Sequence, residues 1–184
     1  MNIMEIQSIY QQAIKFAALK HSEIQQTIPG TDLPYVVHLS NVAMEILIAS
    51  YNTSDFKLDF AIQLALLHDT LEDTSATLEE LSQEFGIDVA QGVLALTKND
   101  TLPKAEQMPD SIRRIKDLQM EVWAVKLADR ITNLQVPPKH WDNDKKIAYR
   151  KEAIMLLDEL KGGNGYLEKR LKEKITAYEA YISA

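Results

Sequence analysis

The chain contains no cysteine. Disulfides, thiolate catalysis and cysteine-ligated zinc are therefore excluded, and a reducing, cytoplasmic compartment is expected. Glycine and proline are scarce, six of each in 184 residues, and no alternating Val, Ile and Thr segment suggests a sheet. No apolar run approaches the roughly 20 residues that span a bilayer, so no membrane insertion is expected. Met1-Asn2-Ile3-Met4-Glu5 lacks a basic region followed by an apolar stretch, so no secretory signal is expected. Positive charge is also in deficit. A net charge of −7 argues against a general nucleic-acid or membrane-surface binder.

What is present is ordinary for a globular protein: 46% apolar and 26% charged residues. The charge is uneven. Residues 98–151 hold 12 Lys and Arg against 8 Asp and Glu, whereas the remainder holds 8 against 19. An acidic protein with one basic segment could bind a small polyanion there; the alternative is an excess of charge on solvated helix faces.

The apolar periodicity is helical throughout, and residues 1–184 read as one compact all-α domain, a helical bundle without repeat or linker. Helices are expected over Ile3–Lys20, from Tyr35–Leu39 to Ala49, over Asp59–Leu67, after the capping box Thr77-Leu78-Glu79-Glu80 as far as Gly86, and over Asp88–Thr97. Others follow over Asp110–Met120, Glu121–Leu134, Asp144–Leu160 and Tyr166–Tyr181. The segment Ala61–Leu67 is apolar on nearly all sides and should be buried.

The chemistry gathers at the ends of these helices. His68 and Asp69 follow the apolar helix directly. A carboxylate at a helix C-terminus faces the negative end of the dipole, and at the edge of a core it needs a cation; the alternative is a hydrated surface turn. Glu72 and Asp73 lie one turn further on. Four ionisable groups in six residues repel unless a cation or proton is shared. A divalent ion would leave the outer acid pair for acid–base work; the alternative is a charged loop. Asp129 falls on a stripe with Val122 and Val125, with Asn133 one turn below, which suits a ligand and its positioning group. A salt bridge to Lys126 or Arg130 is the alternative. His38 opens a helix after Pro34-Tyr35-Val36-Val37. Two imidazoles and two carboxylates suit Mn(II), Fe(II), Co(II) or Zn(II) better than Mg(II), which prefers more oxygen ligands.

Three words in this order, Pro34-Tyr35-Val36-Val37-His38, Ala65-Leu66-Leu67-His68-Asp69-Thr70-Leu71-Glu72-Asp73-Thr74 and Lys126-Leu127-Ala128-Asp129-Arg130-Ile131-Thr132-Asn133-Leu134, resemble the HD-domain metal-dependent phosphohydrolases. They are most similar to the RelA/SpoT-type hydrolase domain and the small stand-alone alarmone hydrolases. The resemblance implies hydrolysis of the 3′-pyrophosphate of guanosine 3′,5′-bis(diphosphate) (ppGpp) and its relatives, with Mn(II) held by His38, His68, Asp69 and Asp129. It implies that Glu72 and Asp73 activate or position water. It puts Lys104, in Thr101-Leu102-Pro103-Lys104, near the substrate phosphates and Asn133 on ribose or phosphate. Tyr35, Trp141, Lys145 and Tyr149 border the nucleotide. A homodimer is compatible with it, and synthesis of the nucleotide is not expected.

The chain departs from that family in one place. Where the family carries Arg or Lys before the Pro-Tyr word, Ser22–Leu33 has no basic residue and about one residue extra. Two other functions fit the residues: an HD phosphohydrolase for another nucleotide, such as NADPH or a nucleoside phosphate, and a non-catalytic helical module that senses a nucleotide.

Overall fold

Ten α-helices and one 3₁₀ turn make up the regular structure of the computed structural model, which describes residues 3–182; Met1 and Asn2 of the expected signal-free N-terminus lie outside them. In chain order the helices are α1 (Ile3–Glu23), α2 (Val36–Tyr51), α3 (Leu58–Leu67), α4 (Thr70–Asp73) and α5 (Leu78–Phe85). Then come α6 (Ile87–Leu96), α7 (Lys104–Lys116), α8 (Met120–Asn133), α9 (Asn143–Glu159) and α10 (Gly165–Tyr178), closed by the 3₁₀ turn Glu179–Tyr181. The all-α expectation holds: no strand is found among the described residues, only an isolated bridge between Thr27 and Pro34.

The helix α3 is the hub because it has almost no polar face. Ala61, Ile62, Leu64, Ala65, Leu66 and Leu67 are all buried, and α1, α2, α6 and α8 pack around it. Its contact with α6 is close at Gly92, where any side chain would force Leu64 to shift. A Cβ there would stand 2.6 Å from Leu64 Cδ2, inside any real carbon–carbon contact. The helix α8 is the second buried element. Its apolar residues Val122, Ala124, Val125, Leu127, Ala128 and Ile131 are fully enclosed, and it also buries Glu121, Lys126, Asp129 and Arg130. Buried charge on a helix requires partners. Glu121 finds one at the start of α3, where it accepts a hydrogen bond from the Lys57 backbone N–H at 2.9 Å.

Local signals set several boundaries as expected. Thr77 and Glu80 form the reciprocal capping box, with Thr77 Oγ1 accepting from Glu80 N at 3.1 Å and Glu80 Oε2 accepting from Thr77 N at 2.9 Å. Two helix starts are capped by side chains, Asp142 for α9 and Asn164 for α10. The largest departure is α7, expected from Asp110 to Met120 and found over Lys104–Lys116, with Pro109 inside it, so that it starts six residues and ends four residues earlier. Proline loses one helical hydrogen bond, but tertiary contacts offset that loss. Met108, Ile112 and Ile115 are buried, Ser111 Oγ donates to Ala95 O at 2.8 Å, and Arg114 Nη2 donates to Thr97 O at 2.7 Å. The short helix α4 also lay outside the expected set.

These contributions differ in size. Leu66→Ala should lower unfolding free energy by about 2–5 kcal/mol, through lost burial and a residual cavity. Thr77→Ala should cost about 0.5–2 kcal/mol, through a lost cap. Urea unfolding of the two variants checks the order, and a larger loss for Thr77→Ala would contradict the central place given to α3.

Candidate metal centre and its flanking cavities

Four side chains from three parts of the chain meet at the end of α3. His38 comes from the first turn of α2, His68 and Asp69 from the junction of α3 and α4, and Asp129 from the middle of α8. Both histidines and Asp129 are buried, and Asp69 is partly so. The His38 and His68 Nε2 atoms lie 3.4 Å apart. Asp69 Oδ2 lies 2.9 Å from His68 Nε2 and 3.8 Å from His38 Nε2. Asp129 Oδ1 lies 3.4 Å and 3.6 Å from the same two nitrogens.

The neighbours of this cluster orient its donors. His68 Nδ1 is 2.9 Å from Ala65 O, an acceptor, so that nitrogen carries hydrogen and Nε2 faces the cluster. The Tyr35 hydroxyl donates to Asp69 Oδ2, and Asn133 Nδ2 donates to Asp129 Oδ1 at 2.5 Å. Lys126 Nζ stands 3.7 Å from Asp129 Oδ2, so one of the expected salt-bridge alternatives is also present. Burial works against charge on His68, but Asp69 and Asp129 outweigh it and raise its pKa well above the usual imidazole value. Burial likewise pushes Asp69 and Asp129 upward. It is outweighed at Asp69 by the His68 charge and at Asp129 by hydrogen bonds from both histidines, so both carboxyls titrate below their usual range. Two ionised carboxylates and inward imidazole nitrogens within 4 Å call for positive charge between them. His38, His68 and Asp69 have the donor spacing of a group that could hold a metal ion, and the mixed nitrogen and oxygen set fits a divalent transition metal.

The outer acids take different partners. Glu72 accepts from the Lys98 backbone N–H at 3.0 Å and from Lys98 Nζ at 2.8 Å. Asp73 Oδ2 accepts from Gln26 Nε2 at 2.8 Å. Burial raises the Asp73 pKa, the Gln26 hydrogen bond offsets part of that, and Asp69 and Glu72 add to the rise.

Two cavities flank the centre. One, of 410 Å³, is lined by Glu72, Lys98, Asp100, Lys104 and Glu152 among others, so it is rich in charge. The other, of 290 Å³, opens beside His38 and carries Asn133, Trp141 and Tyr149 with apolar residues of the 22–33 loop, Ile28, Pro29 and Leu33; no Lys or Arg lines it. Gly30 lets that loop reach across. It holds φ +81, and a Cβ there would meet Pro138 at 3.3 Å. The expected substrate residues are thus divided. Lys104 falls in the charged cavity, Asn133 and Tyr149 in the other, and Lys145 sits at its margin with Nζ 4.6 Å from the Trp141 ring centroid. Tyr35 lines neither cavity; its hydroxyl is turned to Asp69.

Sequence reasoning missed Lys98, Gln26 and Glu152. Their partners are distant along the chain, and no local pattern marks them. Arg130 was weighed only as a partner for Asp129. It pairs instead with Glu152, and its guanidinium carbon lies 4.3 Å from the centre of the Tyr149 ring. This pair joins the two cavity walls.

A family model described as "HD domain" matches residues 13–157. The chain is 35% identical over 167 residues to guanosine-3′,5′-bis(diphosphate) 3′-pyrophosphohydrolase MESH1 of Danio rerio, covering 88% of this chain and 89% of that protein. MESH1 of Homo sapiens is 35% identical over 166 residues, with 88% and 89% covered. A solved structure of a metazoan SpoT ortholog that hydrolyses ppGpp superposes with a TM-score of 0.79 at 30% identity, covering 94% of this chain and 96% of that one. The chain therefore belongs to the HD-domain family and is a relative of the MESH1 pyrophosphohydrolases.

The Arg130–Glu152 pair can be tested apart from any activity. Glu152→Ala would leave a buried guanidinium facing only the Tyr149 ring. Stability should fall by about 1–3 kcal/mol in urea unfolding, less than for a fully buried pair because Glu152 is partly in water. An unchanged midpoint would show that the pair does not tie the cavity walls.

Proposed function

We propose that this protein is a metal-dependent hydrolase that removes the 3′-pyrophosphate from ppGpp and related nucleotides, releasing pyrophosphate. The observation that carries the reading is the placing of Asp69 and Asp129 each within 4 Å of both His38 Nε2 and His68 Nε2, in a chain with 35% identity to MESH1 over most of both lengths. These four residues would hold one divalent ion, with Mn(II) the proposed metal. When bound, such an ion supplies Lewis acidity to a phosphoryl oxygen and lowers the pKa of water. Residues 1–184 act in this reading as one HD unit working in the cytoplasm.

The rest of the chemistry belongs to the side chains. Water adds to the phosphorus bonded to the 3′ oxygen, the P–O3′ bond breaks, and the 3′ oxygen gains a proton. Asp73, whose pKa is raised by burial, takes the proton from water. Glu72, held by Lys98, accepts a hydrogen bond from that water and holds it in place. Lys104 and Lys98 give the charged cavity the cations a diphosphate requires. Asn133 reaches the ribose or a phosphate, Tyr149 and Trp141 supply ring faces to the nucleotide, and Lys145 caps the Trp141 face. Tyr35 acts through Asp69, whose carboxylate it orients.

A second reading keeps the metal and changes the nucleotide. The absence of Lys and Arg from the lining of the 290 Å³ cavity favours it, since that wall offers a base or ribose only neutral and aromatic contacts.

The test is a nucleotide screen with Mn(II), read by pyrophosphate and phosphate release. Turnover of ppGpp to pyrophosphate is expected; clear turnover of another nucleotide with none of ppGpp would move the protein to the second reading. In the same assay His68→Ala and Asp69→Ala should lose both bound metal and turnover, and full metal occupancy in Asp69→Ala would refute the ligand set. Glu72→Gln keeps shape and removes charge. It should lower turnover by about 10²–10⁴-fold with metal content unchanged. Near-normal turnover in both Glu72→Gln and Asp73→Asn would remove the acid pair from the mechanism.

A further inference from the structure

The loop 22–33 carries no basic side chain, yet it sends one polar group to the acid pair. Gln26 Nε2 donates to Asp73 Oδ2 at 2.8 Å, across 47 residues of sequence. The other end of the same amide faces α1: Gln26 Oε1 lies 2.5 Å from His21 Nδ1. His21 is 2% exposed, and its ring packs on Tyr35 with centroids 4.8 Å apart.

These contacts fix the direction of the chain of hydrogen bonds. His21 Nε2 is buried and has no partner. A buried N–H without an acceptor is more costly than a bare lone pair, so the neutral ring keeps its hydrogen on Nδ1. Nδ1–H then donates to Gln26 Oε1. The amide cannot turn over without setting its oxygen against the Asp73 carboxylate, so its NH₂ is held toward Asp73. Burial lowers the His21 pKa, which keeps the ring in this neutral form. On the other side of the same ring stack, the Tyr35 hydroxyl holds Asp69. His21 and its neighbours thus brace the inner acid through Tyr35 and the outer acid through Gln26.

We infer that Gln26, backed by His21, is the positioning residue that aims the Asp73 carboxylate at the attacking water. The inference rests on the proposed role of Asp73 and adds a second residue to it. Gln26 touches none of His38, His68, Asp69 and Asp129 directly and lines neither cavity; its side chain reaches the site through Asp73 and, by way of His21 and Tyr35, through Asp69, and only the first route is lost when Asp73 is replaced. A purely structural tie between loop and α4 would make a different prediction: loss of stability without selective loss of turnover.

Gln26→Met keeps the length of the side chain and removes both hydrogen bonds. In the Mn(II)-loaded full chain, turnover should fall by about 10–100-fold, the effect of a misaimed catalytic group, while KM and metal content stay near those of the parent; the unfolding midpoint falls as well, because the buried His21 Nδ1–H loses its acceptor. In an Asp73→Asn background the same change should add nothing, because the group being aimed is gone. An equal loss in both backgrounds would overturn the inference and leave the Asp73 assignment standing.

A second measurement does not depend on turnover. Carbon-13 titration of the aspartate carboxyls in the Zn(II)-loaded chain, with Asp73 identified from Asp73→Asn, reads its midpoint directly. Asp69, Glu72 and His21 all face Asp73 electrostatically and remain unchanged in the variant. The Gln26 hydrogen bond favours the charged form, so its removal should move the midpoint to higher pH. An unmoved midpoint would mean that Gln26 does not hold Asp73. A moved midpoint combined with full turnover in Asp73→Asn would instead place the failure in the catalytic role of Asp73, and the positioning role would fall with it.

Discussion

Charge compensation at the end of α3 is the constraint on which the rest of this protein depends. Asp69 and Asp129 meet beside two imidazoles in a region from which most water is excluded. Two carboxylates so placed are tolerable only with positive charge between them, supplied by protons on the imidazoles or by a metal ion. The apolar walls matter as much as the ligands. The enclosed side chains of α3 and α8 hold the donors apart from bulk water and prevent them from relaxing away from one another.

Around that cluster each acid has supporting residues of its own. Tyr35 holds Asp69, Asn133 and Lys126 face Asp129, Lys98 holds Glu72 and Gln26 holds Asp73. The consequence is a division within the outer pair. A carboxylate bonded to an ammonium group is stabilised in its ionised form, whereas one bonded to a neutral amide and partly buried is not. Glu72 and Asp73 are neighbours in sequence, but their surroundings suit one to accepting a hydrogen bond and the other to exchanging a proton.

The two cavities extend this division to the substrate. Charged side chains collect on the Glu72 side, and neutral and aromatic ones beside His38. A nucleotide with a polyphosphate at one end and a base at the other has the matching asymmetry. The Arg130–Glu152 pair, one member against Tyr149 and the other in the charged wall, links the two halves through a single buried guanidinium.

Much of this was legible in the residues alone. The apolar run Ala61–Leu67 required burial wherever it packed, and the ionisable groups after it needed either a cation or access to water, because hydrophobic burial and charge desolvation act on a segment regardless of topology. The capping box at Thr77 is local chemistry and appeared as expected. The position of α7 was not legible, since Pro109 reads as a helix breaker until the buried faces of Ile112 and Ile115 and the Ser111 and Arg114 hydrogen bonds are counted against it. The partners of the acid pair were equally hidden. Lys98 and Gln26 lie 26 and 47 residues from the acids they hold, and no periodicity connects them. Sequence by itself determined which groups must be buried or compensated, because those requirements are properties of the side chains. Only the tertiary structure decided which distant donor compensates which acid, because that depends on how α1, α2, α3 and α8 pack and on where the loops between helices return.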